Sequence, residues 1–281
     1  MPSGTPFITE KYSTAVLTAV RVLCGLLFVQ HGAEKLWGFA GGRMDYNFAA
    51  LRAWAGPIEV VGGILIALGF CTRTTAFILC GEMAVAYFKT WAPRGLLPIQ
   101  NGGEEAVQFC YLFLWLVTMG AGAWSIDRWL GGNKAAVTSR LSSWEGRARS
   151  ILRVIYGFLF LLHGIRLAFG VLPALAGRRG AGPMPLDQLP AFMGYGEIIA
   201  GALLIAGAFT APVALFAAVV AFAAYVHSIA GGLVWPIRGG GNETLLYTLV
   251  FLCLWVKRGG QWSFDSLKGR RNRKLASAAT G

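Results

Sequence analysis

Charge is scarce in this sequence. Only 14% of its 281 residues are Asp, Glu, Lys or Arg and 56% are hydrophobic, whereas soluble domains are about 25% charged. Such a composition excludes a disordered chain and leaves no room for a large soluble domain. Histidine is rarer still, at three residues, and no His-x3-His or Glu-x-x-His spacing is present, so no metal centre is expected. The five cysteines (Cys24, Cys71, Cys80, Cys110 and Cys253) form no Cys-x-x-Cys pair, which argues against a zinc ribbon or a disulfide framework and leaves buried thiols. No glycine-rich nucleotide fingerprint and no obvious pair of haem-ligand histidines occurs, so neither flavin, nicotinamide nor haem is expected. The first twelve residues lack the apolar core and cleavage site of a signal peptide, and the first apolar run is expected to stay as an anchor.

What is present is a succession of apolar runs, at about 14–37, 50–70, 74–92, 105–125, 150–170, 190–209, 211–230 and 243–257. A bilayer needs about 20 apolar residues per helical span. Nothing alternates with period two as barrel strands do, and lipid cannot satisfy open backbone, so every run is expected to be a helix. The fold class read here is an all-α integral membrane protein, with eight transmembrane helices in two parallel-repeat four-helix bundles. The net charge of +12 sits as flanks between the runs. Fourteen Lys and Arg fall in one set of connections and seven in the other, which predicts that both termini are cytoplasmic. The basic tail then faces anionic lipid, and no nucleic-acid partner is needed.

The sequence also contains itself. Residues 21–32 (RVLCGLLFVQHG) match 153–164 (RVIYGFLFLLHG) at seven of twelve positions. From the second run onward the shift is 138, pairing Glu59 with Glu197, Gly63 with Gly201, Gly69 with Gly207, Gly102-Gly103-x-Glu105 with Gly240-Gly241-x-Glu243, and Trp124-Ser125-x-Asp127 with Trp262-Ser263-x-Asp265. Two units of four helices are expected, 14–130 and 150–267, joined by a basic cytoplasmic linker at 131–149 and followed by a basic tail at 268–281. Each unit holds an even number of spans, so both enter the membrane from the same side, with a pseudo-two-fold axis along the membrane normal.

Ionisable groups inside a span cost at least about 2.5–3.5 kcal/mol each, so each needs a reason. Arg21 and Arg153 begin the first helix of their units, and Asp127 and Asp265 follow the fourth; a structural ion pair Arg21–Asp127, repeated as Arg153–Asp265, is the simplest reading. Toward the opposite face, His31 is expected about 9 Å and Glu59 about 13 Å below the surface, from a rise of 1.5 Å per residue. Glu105 opens the fourth helix beside them. His163, Glu197 and Glu243 repeat the trio. A His–carboxylate pair in low dielectric handles protons, which suits quinone or quinol binding or a solute site; the alternative is a polar network that clamps helices. The halves differ: Glu34, Lys35, Glu82 and Lys89 become Arg166, Leu167, Val220 and His227. The denser charge of the first half favours it as the working site, with His31 and Glu59 central and Lys35 close by.

Arg-x3-Gly-x5-His-Gly in the first helix, the mid-helix Glu before a glycine-rich stretch, Gly-Gly-x-Glu before the fourth helix and Trp-Ser-x-Asp after it resemble the DoxX family of small bacterial membrane proteins. The resemblance runs twice, over about 14–130 and 150–267, where the family unit is a single four-helix domain. Relatives include a subunit of thiosulfate:quinone oxidoreductase and components of thiol and oxidative-stress systems. The resemblance implies a membrane subunit of a quinone-linked oxidoreductase system, with quinone as cofactor and a partner protein that supplies the redox centre. A small-solute or lipid carrier, and a membrane scaffold for a partner enzyme, are the other readings, and a homo-oligomer fits any of them.

Overall fold

The computed structural model describes residues 6–42, 44, 51–131, 136–171, 189–230, 235–237 and 241–278. Among these, helix is the only regular structure. The elements are α1 (Pro6–Trp37), α2 (Leu51–Leu68), α3 (Thr72–Ala86), α4 (Pro98–Asn101), α5 (Glu104–Met119), α6 (Ile126–Trp129), α7 (Ala136–Ser143), α8 (Glu145–Phe169), α9 (Leu189–Ala206), α10 (Thr210–Ala230), α11 (Gly241–Lys257) and α12 (Phe264–Ala278). Three helical stretches are long and apolar enough to cross a membrane, Tyr12–Trp37, Glu145–Phe169 and Thr210–Ala230, and Ala53–Leu68 and Phe192–Ala206 are shorter apolar helices. The segment expected as a linker holds α7 and the first turns of α8, and the basic tail lies mostly within α12.

Within each half, α1 packs along α2 and α8 along α9. Both crossings run glycine on glycine. A Cβ on Gly25 would stand 2.5 Å from the Gly63 carbonyl oxygen and one on Gly32 2.6 Å from that of Gly56; in the second half, Gly164 meets Gly194 at 2.5 Å and Gly201 meets Gly157 at 2.7 Å. Removing the side chains lets the backbones approach closely, the means by which helices associate where no water drives them together.

The remaining packing runs both within and between the halves. α3 lies on α5 and α10 on α11, but α1 also packs against α11, α5 against α8, and α5 against α11. The expected bundles of four are thus fused through the first and last helices of each unit. Matched aromatic trios fill the centre: Phe28 meets Phe109 and Phe113 edge-on at 5.0 and 4.9 Å, and Phe160 meets Tyr247 and Phe251 at 5.4 and 5.0 Å. Edge-on rings hold more favourably than face-to-face ones because of the ring quadrupole. Phe77, Phe88, Ile199, Phe216 and Val219 point outward and are exposed, an apolar exterior beyond what water-soluble monomers present.

Candidate functional site

At one end of each half, one turn gathers the buried arginine and the aspartate. Gly69 and Gly207 close α2 and α9 with φ of 67° and 68°. A Cβ there would fall 2.3 Å from Arg21 Nη1 and 2.1 Å from Arg153 Nη1. Arg21 donates to the carbonyls of Ala67, Ala121 and Trp124, and Arg153 to those of Leu204, Ile205 and Trp262. The Asp127 carboxylate accepts from the amides of Cys71 and Thr72 at 2.7 and 2.9 Å, and Asp265 from Phe209 and Thr210 at 2.9 and 2.8 Å. The hydrogen bonds of the expected Arg–Asp pairs therefore go to backbone. Each Arg binds carbonyls at the end of α2 or α9 and in the loop after α5 or α11, and each Asp caps the N-terminus of α3 or α10, as the helix dipole favours.

The other polar cluster lies toward the far end of α1. His31 and Lys35 stand one turn apart on the same face. Lys35 Nζ contacts both carboxylate oxygens of Glu59, which is only 2% exposed. The carboxylate found beside His31 is Glu105, with Nε2 and Oε2 3.4 Å apart. Asn242 Nδ2 also lies 2.8 Å from His31 Nε2. With Nε2 unprotonated, the Asn242 amide donates to it and the ring proton sits on Nδ1. Protonation of Nε2 would direct it to Glu105 instead. His31 thus stands between an amide and a carboxylate.

In the second half, Leu167 replaces Lys35, and the buried carboxylate takes the imidazole directly: His163 Nδ1 is 2.7 Å from Glu197 Oε2. The Lys35/Leu167 difference leaves Glu197 without the cation that Glu59 contacts. Glu243 opens α11 as Glu105 lies in the first turn of α5, and it stands within electrostatic reach of Tyr247.

Sequence reasoning missed three residues that complete these sites. Glu104 is buried and accepts from Tyr247 Oη of the other half; it also lies within electrostatic reach of His163. Asn242 is its counterpart at the shift of 138 and reaches His31. The signal was present, since the variable position of Gly-Gly-x-Glu is polar in both copies, but each unit was read on its own and the contacts cross between units. Glu82 was noted only as a difference between copies. Both its carboxylate oxygens are shielded without a hydrogen-bond partner, within electrostatic reach of Glu59 and Lys35.

The cluster can hold and exchange protons between imidazole, carboxylate and a bound hydroxyl or carbonyl. Comparison with known proteins places the chain among membrane proteins. The DoxX family profile matches residues 16–91 and 148–228. An uncharacterised protein of Haemophilus influenzae is 43% identical over 124 residues, covering 42% of this chain and 92% of the relative. The inner membrane protein YqjF of Escherichia coli is 28% identical over 133 residues, 43% of this chain and 96% of the relative. An uncharacterised membrane protein of Mycobacterium tuberculosis is 26% identical over 138 residues, 43% of this chain and 85% of the relative. No solved structure matches. Each relative is about the size of one half, and the family profile matches once in each half: the chain belongs to the DoxX family and carries its unit twice.

Proposed function

We propose that this protein is the membrane subunit of a quinone-linked oxidoreductase system, in which the half-buried His–carboxylate pairs exchange protons with quinol while a partner protein supplies the redox centre. The observation that carries this reading is the twofold occurrence of an imidazole against a carboxylate, His31 with Glu105 and His163 with Glu197, where a structural clamp alone has no need of a titrating ring. Lys35–Glu59 and the unpartnered Glu82 add titratable groups to the first site. Eight helices, α1, α2, α3, α5, α8, α9, α10 and α11, cross the inner membrane as two parallel units with both termini in the cytoplasm. The fourteen-to-seven split of basic residues supports that orientation, and in it the His–carboxylate sites lie in the outer half of the bilayer.

Solvent extraction of protein purified in mild detergent, read by absorbance, tests the reading. The wild type is expected to carry a quinone that His31→Ala and Glu59→Gln lose while staying folded. Quinone-free wild type, or variants that all unfold alike, would leave these groups as a polar clamp between helices.

A further inference from the structure

Cys80 on α3 and Cys110 on the facing α5 bring their sulfurs to 3.7 Å. Closing a disulfide from there takes an approach of about 1.7 Å, since the S–S bond is about 2.05 Å. Packing does not demand sulfur here, because the second half fills the same two positions with Ala218 and Thr248. The pair lies about 12 Å along α3 from Thr72, by helical rise, and α3 presents exposed Phe77 and Ile78 beside it. Both cysteines are half-buried, so the contact is neither sealed in the core nor open at a polar surface.

We propose that Cys80 and Cys110 form a redox-active dithiol that a membrane-dissolved quinone oxidises to a disulfide. This rests on the reading above that α3 and α5 lie within the bilayer. At that depth charged water-soluble disulfides do not reach the sulfurs, whereas a lipid-soluble two-electron acceptor does. The step balances: each S–H bond breaks, one S–S bond forms, and two electrons and two protons pass to the quinone, whose two carbonyl oxygens become hydroxyls. Oxidation ties α3 to α5, and reduction of the disulfide releases them.

The test uses the full-length protein, reduced, freed of reductant and held in mild detergent. It is incubated with decylubiquinone, whose ring has no open position for thiol addition, then denatured, alkylated and weighed. The five alkylatable cysteines are expected to fall to three, with a cross-linked Cys80–Cys110 peptide and one quinol formed per disulfide. Cys80→Ser and Cys110→Ser should each keep all four remaining thiols and form no quinol. Five thiols persisting in the wild type overturn the proposal, as does closure by copper–phenanthroline with none by the quinone. If protein that co-purifies with quinone keeps its thiols open, the dithiol alone fails. If the dithiol closes in protein that retains no quinone at the His–carboxylate sites, the dithiol stands and the reading of those sites falls.

Discussion

Lys35 decides how the first site is wired, and its energetics are open to measurement. A buried carboxylate stripped of its cation is left uncompensated, at a cost of about 3–5 kcal/mol. Lys35→Met should therefore destabilise the protein by about that amount, and adding Glu59→Gln should restore most of it, read as denaturant unfolding in detergent. Equal losses in the single and double variants would show that the contact carries no energy. The turn at Gly69 makes a second case. Gly69→Ala and Gly207→Ala each place a side chain at positive φ against a buried guanidinium; backbone strain alone is worth roughly 1–3 kcal/mol, so a clear drop in thermal midpoint is expected for both. At this scale the sequence was informative about which residues matter and less so about their partners. The Lys35/Leu167 difference was legible, but which carboxylate each imidazole meets depends on how helices rotate against one another. Likewise the repeat singles out Arg21 and Asp127, while the free carbonyls and amides that they satisfy belong to turns and helix ends whose geometry no side-chain pattern states.

The helices themselves were the most legible level, because an apolar run long enough for a membrane has few other uses. Observed α2, α9 and α10 begin within a residue of the runs at 50–70, 190–209 and 211–230. The fourth run ends earlier than expected, at Met119, because Gly120 adopts φ of 79°. What composition did not reveal is the glycine register of the α1–α2 and α8–α9 crossings, since glycines scattered along an apolar helix read as flexibility until a second helix is laid on them. Gly63→Val and Gly201→Val should force these pairs apart and abolish a monodisperse peak in fluorescence-detected size-exclusion chromatography. Gly81 is the control: nothing lies within 4 Å of a Cβ there, so Gly81→Ala should be neutral or stabilising by about 0.5–1 kcal/mol.

Across the whole molecule, α1 packing on α11 and α5 on α8 means that the halves complete each other. Residues 1–133 and 134–281, co-expressed as separate chains with a tag on one, should co-purify; independent migration would show that the interface adds little. In a cysteine-free background, a cysteine at Ser142 should label only from the cytoplasm, and one at Ala181, outside the described residues, only from the other side. The duplication was plain in the sequence, but two tandem bundles and two fused ones share the same repeat, and only the packing distinguishes them. That packing also bears on symmetry. Two identical chains meeting in this way would be obliged to offer both histidines the same neighbour, two glutamates or two asparagines. A single chain with unequal halves offers one of each: the Asn242 amide to His31 and the field of Glu104 to His163. Joining the units end to end thereby gives one molecule two imidazoles with unlike neighbours across the seam, an amide for one and a buried carboxylate within electrostatic reach for the other, an inequality that no symmetric dimer of the same unit can sustain.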